Sequence, residues 1–234
     1  MKVAVITGAS RGIGAGLAAG FRRAGHAVVA TSRSIPSSNE PDFVTVRGDI
    51  AEAETAQRVV EQALGRFGRI DTLINNAGIF LGKPFTDYTF DDYAKVTAVN
   101  LAGFFHITQR VIVQMLTQGG GHIINITASL VDDPGSNAPS ALSSLTKGGL
   151  AAVTRSLATE YASRGVRVNA VAPGVIKTPA HDAASYAGMA GPVGRVGEIS
   201  DIVDAIMYLE QATFVTGETL HVDGGQASGG SVSS

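Results

Sequence analysis

Val3-Ala4-Val5-Ile6-Thr7-Gly8-Ala9-Ser10-Arg11-Gly12-Ile13-Gly14-Ala15-Gly16-Leu17-Ala18-Ala19 is the stretch that decides the fold. An apolar run, a glycine-rich turn and a helix start follow one another, so backbone N–H groups and the positive end of a helix converge where a pyrophosphate can sit. The glycines have separate roles: Gly8 makes the tight turn, Gly12 admits a phosphate close to the backbone, and Gly14 lets helix pack on strand. A plain strand-to-helix turn would show the same pattern, so the rest of the chain has to discriminate.

Outward from this turn, apolar β-branched runs too short for helices mark strands at 27–30 and 43–46. Between them, Ser34-Ile35-Pro36-Ser37-Ser38-Asn39-Glu40-Pro41 carries two prolines among polar turn residues, which predicts a shortened crossover without a long helix. Ala56, Val59, Val60, Ala63, Leu64 and Phe67 recur at helical spacing before a strand around Thr72-Leu73-Ile74. A long helix is expected over 90–117, stopped by Gly119-Gly120-Gly121 and followed by a strand over 122–126. Further helices are expected over 140–163 and around 199–206, with strands over 166–171 and 220–222. Alternating strands and helices imply an α/β protein, a doubly wound parallel sheet with helices on both faces.

With 234 residues the chain reads as a single domain over 1–227 with a flexible tail at 228–234. Residues 177–197 break the rhythm with Gly, Ala and Pro, the pattern of a substrate lid or of an ordinary surface loop. A formal charge of −2 offers no basic face, so no nucleic-acid partner is expected. No cysteine is present and the five histidines show no helical pairing, so no metal site is expected. No secretory signal and no membrane-spanning run are read, which gives the expectation of a soluble, cytoplasmic protein with no membrane partner.

Thr7-Gly8-x-x-x-Gly12-x-Gly14, Asp49, Asn75-Asn76-Ala77-Gly78, Asn100, Lys147, Pro173-Gly174, Gly217 and Asp223-Gly224-Gly225 stand in the order and approximate spacing of the short-chain dehydrogenase/reductase family. The chain resembles that family over almost its whole length. The resemblance implies a Rossmann-type sheet of seven parallel strands, a nicotinamide cofactor, a small-molecule substrate, and a homodimer or homotetramer joined through two long helices. The short crossover and the ending Phe214-Val215-Thr216-Gly217 are also similar to the pteridine- and dihydromonapterin-reductase branch.

An NAD-preferring enzyme carries a carboxylate at the end of the second strand to accept from the ribose 2′-OH. Here Thr31-Ser32-Arg33 offers a guanidinium and hydroxyls instead, suited to a 2′-phosphate, and Arg11 adds a second cation inside the turn. NADPH/NADP+ is therefore expected over NADH. The cofactor residues expected from turn and resemblance are Gly8, Ser10, Arg11, Gly12, Ile13, Gly14, Ser32, Arg33, Asp49, Ile50, Asn76, Ala77, Gly78 and Lys147, with Pro173, Gly174, Ile176 and Thr178 toward the nicotinamide.

The chemistry departs from the family. Relatives use an Asn that organises water, a Ser that binds the carbonyl oxygen, a Tyr that donates the proton, and a Lys four residues later that favours the tyrosinate. Asn100 and Lys147 are present, but Ser143 stands at the tyrosine position, and the longer spacing of enoyl reductases gives Ser140. No tyrosine lies between Tyr93 and Tyr161. Ala128 aligns with the catalytic serine, and its neighbour Ser129 can serve only if the strand has ended and the chain has turned. An aliphatic hydroxyl is a far weaker acid than a phenol. Three readings remain open. One is a reductase of a C=N or conjugated C=C group that needs little acid help. Another reduces an ordinary C=O group with a substitute acid from the lid, where Tyr186 and His181 are the candidates. A third is an NADPH-binding regulatory or partner protein, with a non-redox lyase or isomerase as a further alternative.

Overall fold

The computed structural model describes residues 1–132, 139–179, 186 and 188–228. Seven parallel strands form one sheet in the order β3-β2-β1-β4-β5-β6-β7. They are β1 (Val3–Thr7), β2 (Ala27–Ser32), β3 (Phe43–Arg47), β4 (Thr72–Asn75), β5 (Gly121–Ile126), β6 (Val166–Pro173) and β7 (Thr219–Val222). The helices are α1 (Gly12–Arg23), α2 (Ala53–Phe67), α3 (Phe90–Thr97), α4 (Gly103–Thr117), α5 (Ala141–Tyr161) and α6 (Ile199–Gln211). The residues between β2 and β3 form no helix, as the prolines predict.

Alternation along the buried strands explains the layering. On β1, Val3 and Val5 face a core shared with Val59 of α2 and Ile107, Val111 and Met115 of α4. Ala4 and Ile6 face the opposite core, with Leu17 and Phe21 of α1 and Ile202 and Ile206 of α6. Chain direction across the sheet reverses between β1 and β4, so their C-terminal ends open a crevice at the switch point.

Two expectations change. The helix expected over 90–117 is interrupted by a π-helical turn, Ala98–Ala102, holding Asn100, a widening that periodicity alone does not reveal. The run Phe90–Thr117 is also long and apolar enough to cross a membrane, with mean hydropathy 1.2 in its most apolar window, against the expectation that no such run exists. Ile107, Val111, Ile112 and Met115 of this run belong to the core beneath α4, while Phe90, Phe105 and Val113 are exposed. The tail read as 228–234 lies, beyond Ser228, outside the described residues.

Candidate active site

The C-terminal ends of β1, β2, β3 and β4 surround a groove of about 410 Å³. Its wall is built by Gly8, Ser10, Arg11, Gly12, Ile13 and Gly14 after β1, Thr31–Ser34 at the end of β2, and Gly48, Asp49 and Ile50 after β3. Asn76–Ile79 after β4, Val99 and Thr178 complete it. Gly8 and Gly12 have φ of +66° and +57°, a conformation that side-chain-bearing residues rarely adopt. A Cβ on Gly14 would strike the Gly8 carbonyl oxygen, so this glycine lets the turn fold on itself as well as meeting the helix start.

Thr7 and Asn76 stitch the crevice at its base. The Thr7 hydroxyl accepts from the N–H groups of Asn76 (3.1 Å) and Ala77 (2.9 Å). Asn76 Nδ2 donates to the carbonyls of Thr7 (2.9 Å) and Gly8 (3.1 Å). Asn76 thus lines the groove while its amide fixes the turn.

At the end of β2, Arg33 is well exposed and its guanidinium lies 3.9 Å from Asp49 Oδ2. The Arg33 carbonyl accepts from Arg47 Nε at 2.9 Å, which holds the backbone and leaves the side chain at the groove. Arg11 is exposed at the start of α1. The buried Thr31 hydroxyl, in the groove wall, has no hydrogen-bond partner. Backbone donors of a glycine cradle, two exposed guanidinium groups and no carboxylate at the tip of β2 fit a dinucleotide bearing a 2′-phosphate.

The chemical end lies beside Gly78. A Cβ there would come to 3.0 Å of Lys147 Nζ and 3.4 Å of Asn100 Oδ1, so these two side chains meet over the β4 loop. Asn100 is buried; its Oδ1 accepts from Ile79 N–H at 2.9 Å, and its Nδ2 donates to the Ile79 carbonyl and Thr146 Oγ1, both at 3.1 Å. Lys147 Nζ donates to the Ile126 carbonyl at 2.6 Å, at the end of β5. Desolvation pulls the Lys147 ammonium down from 10.5 to about 8.

Ser143 sits one turn before Lys147 on α5; it is 2% exposed and its Oγ has no hydrogen-bond partner. Strand β5 ends at Ile126 and the chain turns into a 3₁₀ helix at Ser129, meeting the condition for Ser129 to serve. Tyr186 accepts from Thr178 N–H at 2.8 Å and its hydroxyl faces the Thr178 carbonyl at 3.3 Å. His181, like most of the lid, lies outside the described residues. Pro173, Gly174 and Ile176 do not line the groove: Pro173 pairs with Val222, Gly174 packs on Asp223, and Ile176 is in the core. Sequence reading missed Ser34, Gly48, Ile79 and Val99 in the wall; the only signal was their adjacency to Arg33, Asp49, Gly78 and Asn100. Among the described residues no cluster of metal-ligating side chains occurs.

The doubly wound sheet with its glycine cradle at the switch point defines a dinucleotide-binding α/β protein of the Rossmann class. A family model described as "Enoyl-(Acyl carrier protein) reductase" matches residues 8–227. The chain is 34% identical over 241 residues to a 3-oxoacyl-[acyl-carrier-protein] reductase of Synechocystis sp., covering 96% of each. Among solved structures, a 3-ketoacyl-(acyl-carrier-protein) reductase from Brucella melitensis complexed with NADH superposes with a TM-score of 0.88 at 30% identity, covering 97% of this chain and 98% of that one. A structure of ElxO with NADP bound gives 0.88 at 30% identity, with 97% and 99% covered. The chain belongs to the short-chain dehydrogenase/reductase family of oxidoreductases.

Proposed function

We propose that the chain is an NADPH-dependent reductase of a small organic substrate, acting on a C=N, conjugated C=C or C=O group, with Ser143 where relatives carry tyrosine. The observation that carries this reading is the meeting of Lys147 and Asn100 at Gly78, at the inner end of a groove whose outer end is furnished with Arg33 and Arg11. Gly8, Gly12 and Gly14 hold the pyrophosphate, Arg33 and Arg11 the 2′-phosphate, and Lys147 the nicotinamide ribose. Bound NADPH supplies hydride; the protein orients substrate and cofactor, a contribution that survives loss of a positioned acid. The related 3-oxoacyl and 3-ketoacyl reductases put an oxoacyl thioester among the substrates to examine.

The reading favours substrates that need little acid help at oxygen, because Ser143, a far weaker acid than a phenol, and Ala128, which has no hydroxyl, stand at the family's tyrosine and serine positions. The same fact supports the second reading, an NADPH-binding partner protein without turnover. The reading carries a cytoplasmic enzyme, assembled as a homodimer or homotetramer. A shallow apolar depression on α4 and α5, lined by Phe104, Phe105, Leu150 and Val153, supports assembly through those helices.

Purified protein should quench or shift NADPH fluorescence, and NADPH oxidation should appear with 2-methyl-1-pyrroline, a quinonoid dihydropterin, 2-cyclohexenone or an acetoacetyl thioester. Tight NADPH binding with no oxidation in any class favours the partner-protein reading. Absence of NADPH binding removes both.

A further inference from the structure

Resting on the reductase reading, we propose that Lys147 is itself the proton donor in this chain, with the Ser143 hydroxyl holding the polar atom of the substrate. A substrate that has taken hydride at its carbon from the reduced nicotinamide draws its proton from Lys147. One Nζ–H bond breaks, and the proton joins the nitrogen, oxygen or enolate carbon that has received the electron pair. The neutral amine then regains a proton from water.

Geometry supports this assignment. Among the described residues Lys147 Nζ has one protein acceptor, the Ile126 carbonyl, and pairs with no carboxylate. An ammonium carries three N–H donors, so two remain for a ligand. Ser143 and Lys147 are four apart on α5 and share a face. The Ser143 hydroxyl, buried without a partner, is an orphan that a bound molecule would satisfy. The other candidate acids are poorly disposed: a serine hydroxyl titrates far above any working pH, and the Tyr186 phenol is bonded to the Thr178 backbone. Burial brings the Lys147 ammonium to about 8, the range in which an acid both holds and releases its proton near neutrality.

The test has two arms. The chain has five lysines, at 2, 83, 95, 147 and 177, so ¹⁵Nζ-lysine NMR resolves each, with Lys147→Arg giving the assignment. Lys147 should titrate near 8 without any cofactor, well below the ordinary range of a lysine side chain. In the second arm, Lys147→Arg is assayed at NADPH concentrations saturating for the variant's own measured Kd, because Lys147 also holds the nicotinamide ribose. It should lose roughly 10²–10⁴ in kcat, because a guanidinium does not release its proton. Ser143→Ala should raise KM by about tenfold and leave the pH profile of kcat in place. A Lys147 titrating in the ordinary lysine range, or an Arg variant with the parent's kcat, overturns the donor role. Parent protein that binds NADPH and oxidises it with no substrate class overturns the reductase reading instead.

Discussion

Arg33→Ala tests whether this side chain is what separates NADPH from NADH. The side chain is 66% exposed and its one ion pair, to Asp49 Oδ2, is long at 3.9 Å, so truncation leaves the fold intact. The backbone also stays in place, because the Arg33 carbonyl is held by Arg47 Nε and the Ser34 N–H by Ser32 Oγ. What is lost is a charge-assisted hydrogen bond to the 2′-phosphate, about 1.5–3 kcal/mol, or roughly 10- to 150-fold in Kd at 25 °C. NADH has no phosphate there and should bind the variant within about threefold of the parent. Fluorescence titration with each nucleotide measures both constants, and parallel titrations at rising salt should show a shallower dependence for the variant with NADPH. Equal weakening for the two nucleotides would mean that Arg33 shapes the groove rather than reading the phosphate. No weakening for either would place the 2′-phosphate elsewhere.

Gly14→Ala forces a methyl onto the Gly8 carbonyl oxygen and to 2.6 Å of Asn76 Nδ2, both fixed by the Thr7–Asn76 stitch. Overpacking of this kind costs about 1–3 kcal/mol, and calorimetry should show Tm lower by roughly 2–12 °C, with NADPH affinity down at least about tenfold. At the opposite end of the sheet, buried Glu210 of α6 accepts from Thr72 Oγ1 (3.0 Å), Lys2 Nζ (3.2 Å) and His122 Nδ1 (3.1 Å), with His26 Nε2 at 3.9 Å. Burial pushes the Glu210 carboxyl upward, but these partners outweigh it and bring it to about 2. His122 Nε2 faces two donors, Asn169 Nδ2 at 3.0 Å and Arg167 Nη1 at 3.3 Å. Desolvation, with Arg167 and Lys2 adding to it, holds the imidazole below its usual range despite Glu210. The folded chain therefore binds fewer protons here than the unfolded chain as pH falls through about 6.5, and stability falls with it. Urea denaturation should show a loss of up to about 1.2 kcal/mol between pH 7 and 5.5 that His122→Gln abolishes; an unchanged slope would refute the neutral tautomer.

The cradle was legible because its parts are contiguous: one turn carries the glycines, and each remaining wall follows directly on a strand end. Seven strands follow from short β-branched runs alternating with helical ones, whereas their order across the sheet comes from the structure. What stayed hidden depends on groups far apart in sequence. Nothing local in Ile126 announces that its carbonyl receives Lys147, and nothing in residues 2, 72, 122, 167 and 210 announces one buried network. The π turn at Ala98–Ala102 was invisible because hydrophobic spacing changes little when one turn widens, while the reason for widening, the grip of Asn100 on Ile79 and Thr146, is tertiary. The absence of tyrosine was plain in sequence; that Ser143 would be both buried and unpartnered was not.

The two ends of the groove can be weighed against each other energetically. Lowering the Lys147 ammonium from 10.5 to about 8 means that the folded chain carries a cost for keeping it charged at neutral pH, at most about 3 kcal/mol and reduced because the side chain is only partly buried. No carboxylate among the described residues offsets that cost, and a methionine of similar length would avoid it. Ser143 adds an unsatisfied buried hydroxyl one turn away, a further penalty of about 1–3 kcal/mol. A groove that needed only to anchor the phosphates would require neither, since Gly8–Gly14, Arg11 and Arg33 lie on other elements. Both penalties disappear when a ligand brings an acceptor to the ammonium and a polar atom to the hydroxyl. The strain thus sits where a substrate would relieve it.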